Sequence, residues 1–502
     1  MDSIKPSVGV ELEFLVCVAV SGQPLNVPRR FENSNGRPVC VPAGVSVIIA
    51  GRDEVEDRIK RTIKSTLSQH RGSRVLKLED PENLLDDQLE TDSLHLRYYR
   101  DWSVDTDPSV ILAPNDEVYN EAHITEYHWH SVEIASPALW ATDESWEEIQ
   151  AVVEALHNEF WIITPTTAGM HYHFGNGKEY IPFSKLRRIA AFLVAVDPII
   201  VQLHPESRRA NGFCRSNRLY SRVAHGRPAA IASREIGAEY IEEEPEFPGI
   251  RPQPVPVSRP FYKRTVDFVA PFKRGQLTGY EFFAETFFDT GYAEDRDIAS
   301  RFPDGNYSTV RPLDIPFAVR EILRCVNAPT VTELMRYGPS SVDRPAYSFL
   351  AYTKGRYRRL IHLGNQVDRR DQHKRTIEFR QMAPTMEADE VVAHGKVIVR
   401  LCQFAAEADL EEFWKVVLDC TVAEVSGDWF DVFDLLAELG LTAEARVLQD
   451  PVARFRGDVI PEELEDDGEE ENIQVAAERE DRRSWWRKLL RWRLAEEPVT
   501  KA

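Results

Sequence analysis

The sequence predicts a mixed α+β fold whose strands carry the chemistry. Two observations point there. Four short apolar segments place charged or imidazole groups at every second position, and helical stripes separate them without the regular beat of βαβ units. The segments are 8–16 (Val-Gly-Val-Glu-Leu-Glu-Phe-Leu-Val), 131–136 (Ser-Val-Glu-Ile-Ala-Ser), 169–175 (Gly-Met-His-Tyr-His-Phe-Gly) and 376–380 (Thr-Ile-Glu-Phe-Arg). Alternate residues of a strand share a face. Glu11 and Glu13 therefore point one way while Val10, Leu12 and Phe14 point the other. His171 and His173 likewise oppose Met170, Tyr172 and Phe174, and Glu378 and Arg380 oppose Ile377 and Phe379. The apolar faces cover a core, which leaves the others free to converge as a cleft rich in carboxylates.

The helices follow in chain order. Val55, Ile59, Ile63 and Leu67 form a stripe over 53–69. Thr142 is placed to cap a helix over 146–160, and Ser184 to cap one that ends before Pro198. Residues 242–260 are rich in proline and glutamate and read as an extended surface loop. Helical spacing returns over 315–337, 389–418 and 429–448, and there is no internal repeat. Residues 461–471 are nearly all acidic and read as a solvated segment. Residues 482–494 are basic and, as a helix, place Trp485, Leu489 and Trp492 on one stripe. That stripe suits a partner or an anionic membrane surface, with docking on the acidic body or plain disorder as the simpler account. The domain expectation is a catalytic domain over 1–405, a helical extension over 406–460 and a tail over 461–502.

Composition narrows the class. The chain has 502 residues, 43% hydrophobic and 28% charged, and so has ample material for a large core. A net charge of −21 argues against a nucleic-acid binder held by a broad basic surface. The 6 cysteines lack paired or zinc-type spacing, which suits reduced thiols. The first apolar run carries Glu11 and Glu13 without a basic leader, and no run approaches the ~18 apolar residues of a membrane span. The expectation is a soluble cytoplasmic protein, with the nucleus also open.

Clustered carboxylates cost several kcal/mol each to desolvate unless cations neutralise them. A cleft lined by the charged and imidazole groups of these four segments therefore predicts bound divalent metal, and oxygen ligands with imidazole suit Mg²⁺ or Mn²⁺. Each motif alone has a plainer reading: Glu-x-Glu as a solvated edge, His-x-His as an exposed strand, Glu-x-Arg as a structural ion pair. Their joint appearance carries the inference. Arg208 and Asn211, on a loop after the third helix, have the donors to hold carboxylate or phosphate oxygens. Asp107-Pro-Ser109 beside Trp102 reads first as a turn.

These motifs, in this order, resemble the fungal-type amidoligases, relatives of glutamine synthetase and glutamate–cysteine ligase. The resemblance rests on Gly9 to Glu13, Trp102 with Asp107 to Ser109, Val132 to Pro137, Gly169 to His173, His204 to Asn211 and Thr376 to Arg380. It implies a glutamine-synthetase-like, curved, largely antiparallel sheet with helices on its outer face. It also implies metal ligation by Glu11, Glu13, Glu133, His171 and Glu378, with His173 and Arg380 facing the phosphoryl group of ATP. Arg208 and Asn211 would contact nucleotide, and Asp107, Ser109 and Arg208 substrate. At Thr376 the sequence departs from glutamine synthetase, whose corresponding segment carries another arginine. The implied activity is an ATP-dependent carboxylate–amine ligase working through an acyl phosphate on an amino acid, peptide or protein side chain. The rivals are a metal-dependent hydrolase or phosphotransferase on the same cluster, and a non-catalytic binding protein.

Overall fold

A computed structural model of the protein describes residues 3–22, 26–42, 52–71, 101–114, 116–209, 213–224, 226–241, 314–336, 344–353, 375–425 and 430–456. The proline-rich stretch 242–260 and the tail 461–502 lie outside the described residues. Strands are β1 (Ser7–Val20), β2 (Val39–Val41), β3 (Ser103–Asp105), β4 (His128–Ala135), β5 (Leu139–Trp140), β6 (Ile162–Ile163), β7 (Met170–Gly175), β8 (Tyr347–Ser348) and β9 (Ile377–Met382). They form one open sheet in the order β3-β4-β1-β7-β9-β8, with β2, β5 and β6 also paired to β1. Every pairing is antiparallel except β1 with β2.

Helices are α1 (Arg52–Arg71), α2 (Asp143–Glu159), α3 (Phe183–Ile200), α4 (Glu206–Arg209), α5 (Asn217–Tyr220), α6 (Ala229–Ile241), α7 (Ile315–Leu323), α8 (Ala328–Met335), α9 (Ala388–Glu407), α10 (Leu410–Val425), α11 (Val432–Glu438) and α12 (Thr442–Arg456). One face of the sheet packs on helices. Val8, Val10, Leu12, Phe14 and Val16 of β1 share a core with Ile59 and Ile63 of α1, Ile149 and Val153 of α2, Tyr172 and Phe174 of β7, and Phe192 of α3. The opposite face carries Glu11 and Glu13, then Leu15 and Cys17 under a second, smaller cluster with Phe31, Val110, Ile124, Trp161 and Ala168. The period-two reading of β1 is therefore correct, and both faces are covered at its C-terminal end. Trp102 belongs to the larger core, its indole N–H donating to the buried Glu148 carboxylate at 3.0 Å.

Four helical expectations change, the stretch 429–448 among them: it divides into α11 and α12 at Gly440, whose φ is 75°. α3 runs through Pro198 to Ile200 instead of stopping before the proline, and Ser184 lies inside its first turn after Pro182. The ring removes a single donor, at about 3 kcal/mol. Every residue from Ile189 to Ile200 is buried, and full burial of one large apolar side chain is worth about 1.5–3 kcal/mol, so packing wins. The stretch 315–337 divides into α7 and α8, because Asn327 caps α8 by accepting from the Thr330 amide at 2.9 Å. The stretch 389–418 divides where Asp409 accepts from the Glu412 amide at 2.8 Å. α9 passes through residue 405, and the elements up to Phe455 form one unit. Among the described residues, no helix is long and apolar enough to cross a membrane.

Candidate metal centre

The strand order places the predicted ligands on neighbouring strands. The β1–β4 register sets Glu13 directly opposite Glu133, and the β3–β4 register sets Asp105 opposite Glu133 on its other side. The β1–β7 register sets Glu11 opposite His171, and β7–β9 sets His173 opposite Glu378. Two groups of possible ligands result: Glu11, His171 and Glu378, then Glu13, Asp107 and Glu133, each with ligand atoms within 4.8 Å of one another. His171 Nδ1 lies 3.4 Å from Glu11 Oε2 and 3.6 Å from Glu13 Oε1, so it stands between the groups. At such separations each pair of ionised carboxylates costs about 3 kcal/mol at an effective dielectric near 20. Hard oxygen donors with one imidazole match a divalent cation such as Mg²⁺ or Mn²⁺, and the donor set fits the predicted metal.

Asp107 joins the second group through its loop. Val110 packs in the small cluster with Leu112 against it, which anchors the loop after β3. The Asp116 carboxylate accepts from the Ala113 amide at 2.7 Å and the Thr166 amide at 2.8 Å. The Ile111 amide donates to Thr167 Oγ1 at 2.9 Å. These bonds tie the Asp107 loop to the segment that leads into β7. Ser109 donates its amide to Asp107 Oδ1 at 2.7 Å, an Asx turn that aims the carboxylate. The resemblance implies substrate contact by Asp107 and Ser109; the structure sets Asp107 beside Glu13 and Glu133. Nothing local in the sequence announces that long-range approach.

β7 and β9 are joined through a bulge: Met170 pairs Met382, but Tyr172 pairs Phe379. Two residues of β7 thus span three of β9, which breaks the alternation and buries both Gln381 and Met382. Arg208, buried on α4, supplies donors there. Its guanidinium donates to the carbonyls of Ala168 at 3.1 Å, Gln381 at 3.5 Å and Arg380. A side chain expected to face substrate or nucleotide therefore joins the backbone under His171 to the backbone of Arg380. Gly169 makes this approach possible, since a Cβ there would lie 2.9 Å from Arg208 Nη2 and 3.0 Å from His171 Nε2. Its amide donates to Glu13 Oε2 at 2.7 Å.

Arg380 Nη2 pairs with Glu378 Oε1 at 2.6 Å. Burial opposes its charge, yet the carboxylates of Glu378, Glu11, Glu13 and Glu133 outweigh burial and raise its pKa above the ordinary arginine value. His173, expected to face phosphate, has both ring nitrogens engaged: Nε2 with Glu11 Oε1 at 2.9 Å and Nδ1 with Thr376 Oγ1 at 3.0 Å. His204 is buried against the His394 ring at 5.5 Å between centroids. Asn211 lies outside the described residues.

Residues 5–222 match the sequence model of a family described as "putative amidoligase enzyme". That span holds Glu11, Glu13, Asp107, Glu133, His171, His173 and Arg208, and ends before β9. No curated protein and no solved structure matches the chain.

Proposed function

We propose that this protein is an ATP-dependent carboxylate–amine ligase that forms an amide through an acyl phosphate on an amino acid, peptide or protein side chain. The observation that carries the reading is the pair of ligand groups, Glu11–His171–Glu378 and Glu13–Asp107–Glu133, joined by Arg380 at one edge. The match of residues 5–222 to the amidoligase description supports amide formation over hydrolysis. Two divalent cations, when bound, offset negative charge on phosphate oxygens.

A carboxylate is a poor acyl donor because its leaving group would be oxide; attack on the γ-phosphate of ATP converts that oxygen into part of a phosphate, and ADP departs. The amine nitrogen then attacks the acyl carbon, the C–O bond breaks and phosphate leaves, with one proton lost from nitrogen. Within this scheme the five carboxylates and His171 fix the cations. Arg380 holds a positive charge at the edge of the cluster, suited to oxygens that gain charge during transfer.

The test is ADP release from Mg-ATP with pooled amino acids or peptides, comparing wild type with Glu378→Gln. Release that depends on the added substrates in wild type and falls by more than tenfold in the variant supports the reading. Equal release in the two proteins removes Glu378 from the chemistry, and amide hydrolysis without ATP assigns the site to a hydrolase.

A further inference from the structure

One chain of hydrogen bonds leaves the ligand groups and ends on a hydroxyl. A carboxylate that binds a cation is ionised and can only accept hydrogen bonds, so the contact between His173 Nε2 and Glu11 Oε1 requires the proton on Nε2. A neutral imidazole has one N–H. With the proton on Nε2, Nδ1 of a neutral ring presents its lone pair to the Thr376 hydroxyl, 3.0 Å away, which can donate to it. Both nitrogens of a buried ring are thus satisfied, and rotation of the ring would break both bonds.

Thr376 is itself held. Its β-branched side chain has few rotamers. Gly175 leaves room for its methyl group, since a Cβ there would lie 3.1 Å from Thr376 Cγ2. The preceding carbonyl, of Arg375, accepts from the Tyr352 hydroxyl at 2.9 Å. A rigid donor thus faces the imidazole, the imidazole faces one oxygen of Glu11, and the other oxygen stays on the side of His171.

We propose that Thr376 is a positioning residue for the first cation site, acting through His173 to orient the carboxylate of Glu11. The proposal rests on the metal reading given above. Outer partners that orient a metal ligand typically change affinity by about 10–100-fold when removed.

The experiment titrates full-length protein with Mn²⁺ alone, without nucleotide, and reads free Mn²⁺ by electron paramagnetic resonance. Thr376→Val is expected to weaken Mn²⁺ binding about tenfold, and Thr376→Ser, which restores the hydroxyl, to recover most of it. Thr376→Ala replaces the valine variant should the latter not fold. In a His173→Ala background, Thr376→Val is expected to have no further effect, because the path to Glu11 is already cut. Equal affinity of Thr376→Val and wild type overturns the proposal. So does an undiminished loss in the His173→Ala background, which assigns the hydroxyl to packing instead. Absence of Mn²⁺ binding in wild type overturns the metal reading itself, and this proposal with it.

Discussion

Glu13 and Glu133 stand directly opposite one another on neighbouring antiparallel strands, a pairing that repels unless something positive lies between them. Asp107 adds a third carboxylate to the same group.

This pairing predicts a stability that depends on cations. In chelator, Glu133→Gln is expected to unfold at higher temperature than wild type, by up to about 3 kcal/mol, because like-charged carboxylate contacts are removed, less the attraction to Arg380 that goes with them. With Mn²⁺ at about 100 times its Kd, wild type is expected to gain about 2.7 kcal/mol, and the variant clearly less. Differential scanning fluorimetry measures both; an identical Mn²⁺ shift in the two proteins would remove Glu133 from the ligand set.

Arg208 sits where the bulge between β7 and β9 leaves main-chain carbonyls to be satisfied. Arg208→Leu is expected to destabilise the fold by about 2–4 kcal/mol, since each buried acceptor left without a donor costs about 1–3 kcal/mol. Arg208→Lys, a point charge without the planar fork, is expected to recover only part. Urea unfolding monitored by tryptophan fluorescence reads the difference. A wild-type midpoint for Arg208→Leu would refute the structural role.

At Gly169 the limit is space. An added methyl meets Arg208 and His171 at 3.0 Å or less, so Gly169→Ala is expected to displace the imidazole at a cost of about 1–3 kcal/mol. The larger effect falls on the site. Mn²⁺ affinity is expected to drop at least tenfold while the protein remains folded, as judged by circular dichroism; unchanged affinity would contradict the close packing.

His394 predicts the acid limb of stability. Burial lowers its pKa from 6.5 to about 4, and among the described residues its Nδ1 has no hydrogen-bond partner. The unfolded chain protonates this ring below pH 6.5 while the folded chain does not. Stability is therefore fully present above pH 6.5 and falls as pH drops toward 4, by about 3 kcal/mol from this group, at about 1.4 kcal/mol per pH unit. His394→Leu is expected to flatten that part of the curve in urea unfolding between pH 7 and 4. An unchanged slope would place the acid sensitivity elsewhere.

Much of this was legible along the chain because period-two patterns are local. The opposed faces of Glu11 and Glu13, of His171 and His173, and of Glu378 follow from neighbours one residue away. The α7–α8 break also had a local sign: Asn327 precedes Ala-Pro, a cap followed by proline in the first turn, and so did Asp409 before Leu-Glu-Glu. Apolar spacing alone bridged both gaps. Two features had no local sign. Asp107 reaches Glu13 and Glu133 only because the small cluster around Val110 and Trp161 pins its loop across the sheet. Arg208 faces the β9 backbone only because a bulge exposes carbonyls there, and a bulge depends on the register of two distant segments.

β1 hydrogen-bonds to five other strands, and Glu11 and Glu13 lie near its middle. Fraying such a strand means breaking most of the sheet, so their amide protons should exchange with solvent only when the whole domain opens. The two carboxylates are then as permanent as the fold itself, and adjustments to an incoming substrate fall to the loops at the rim.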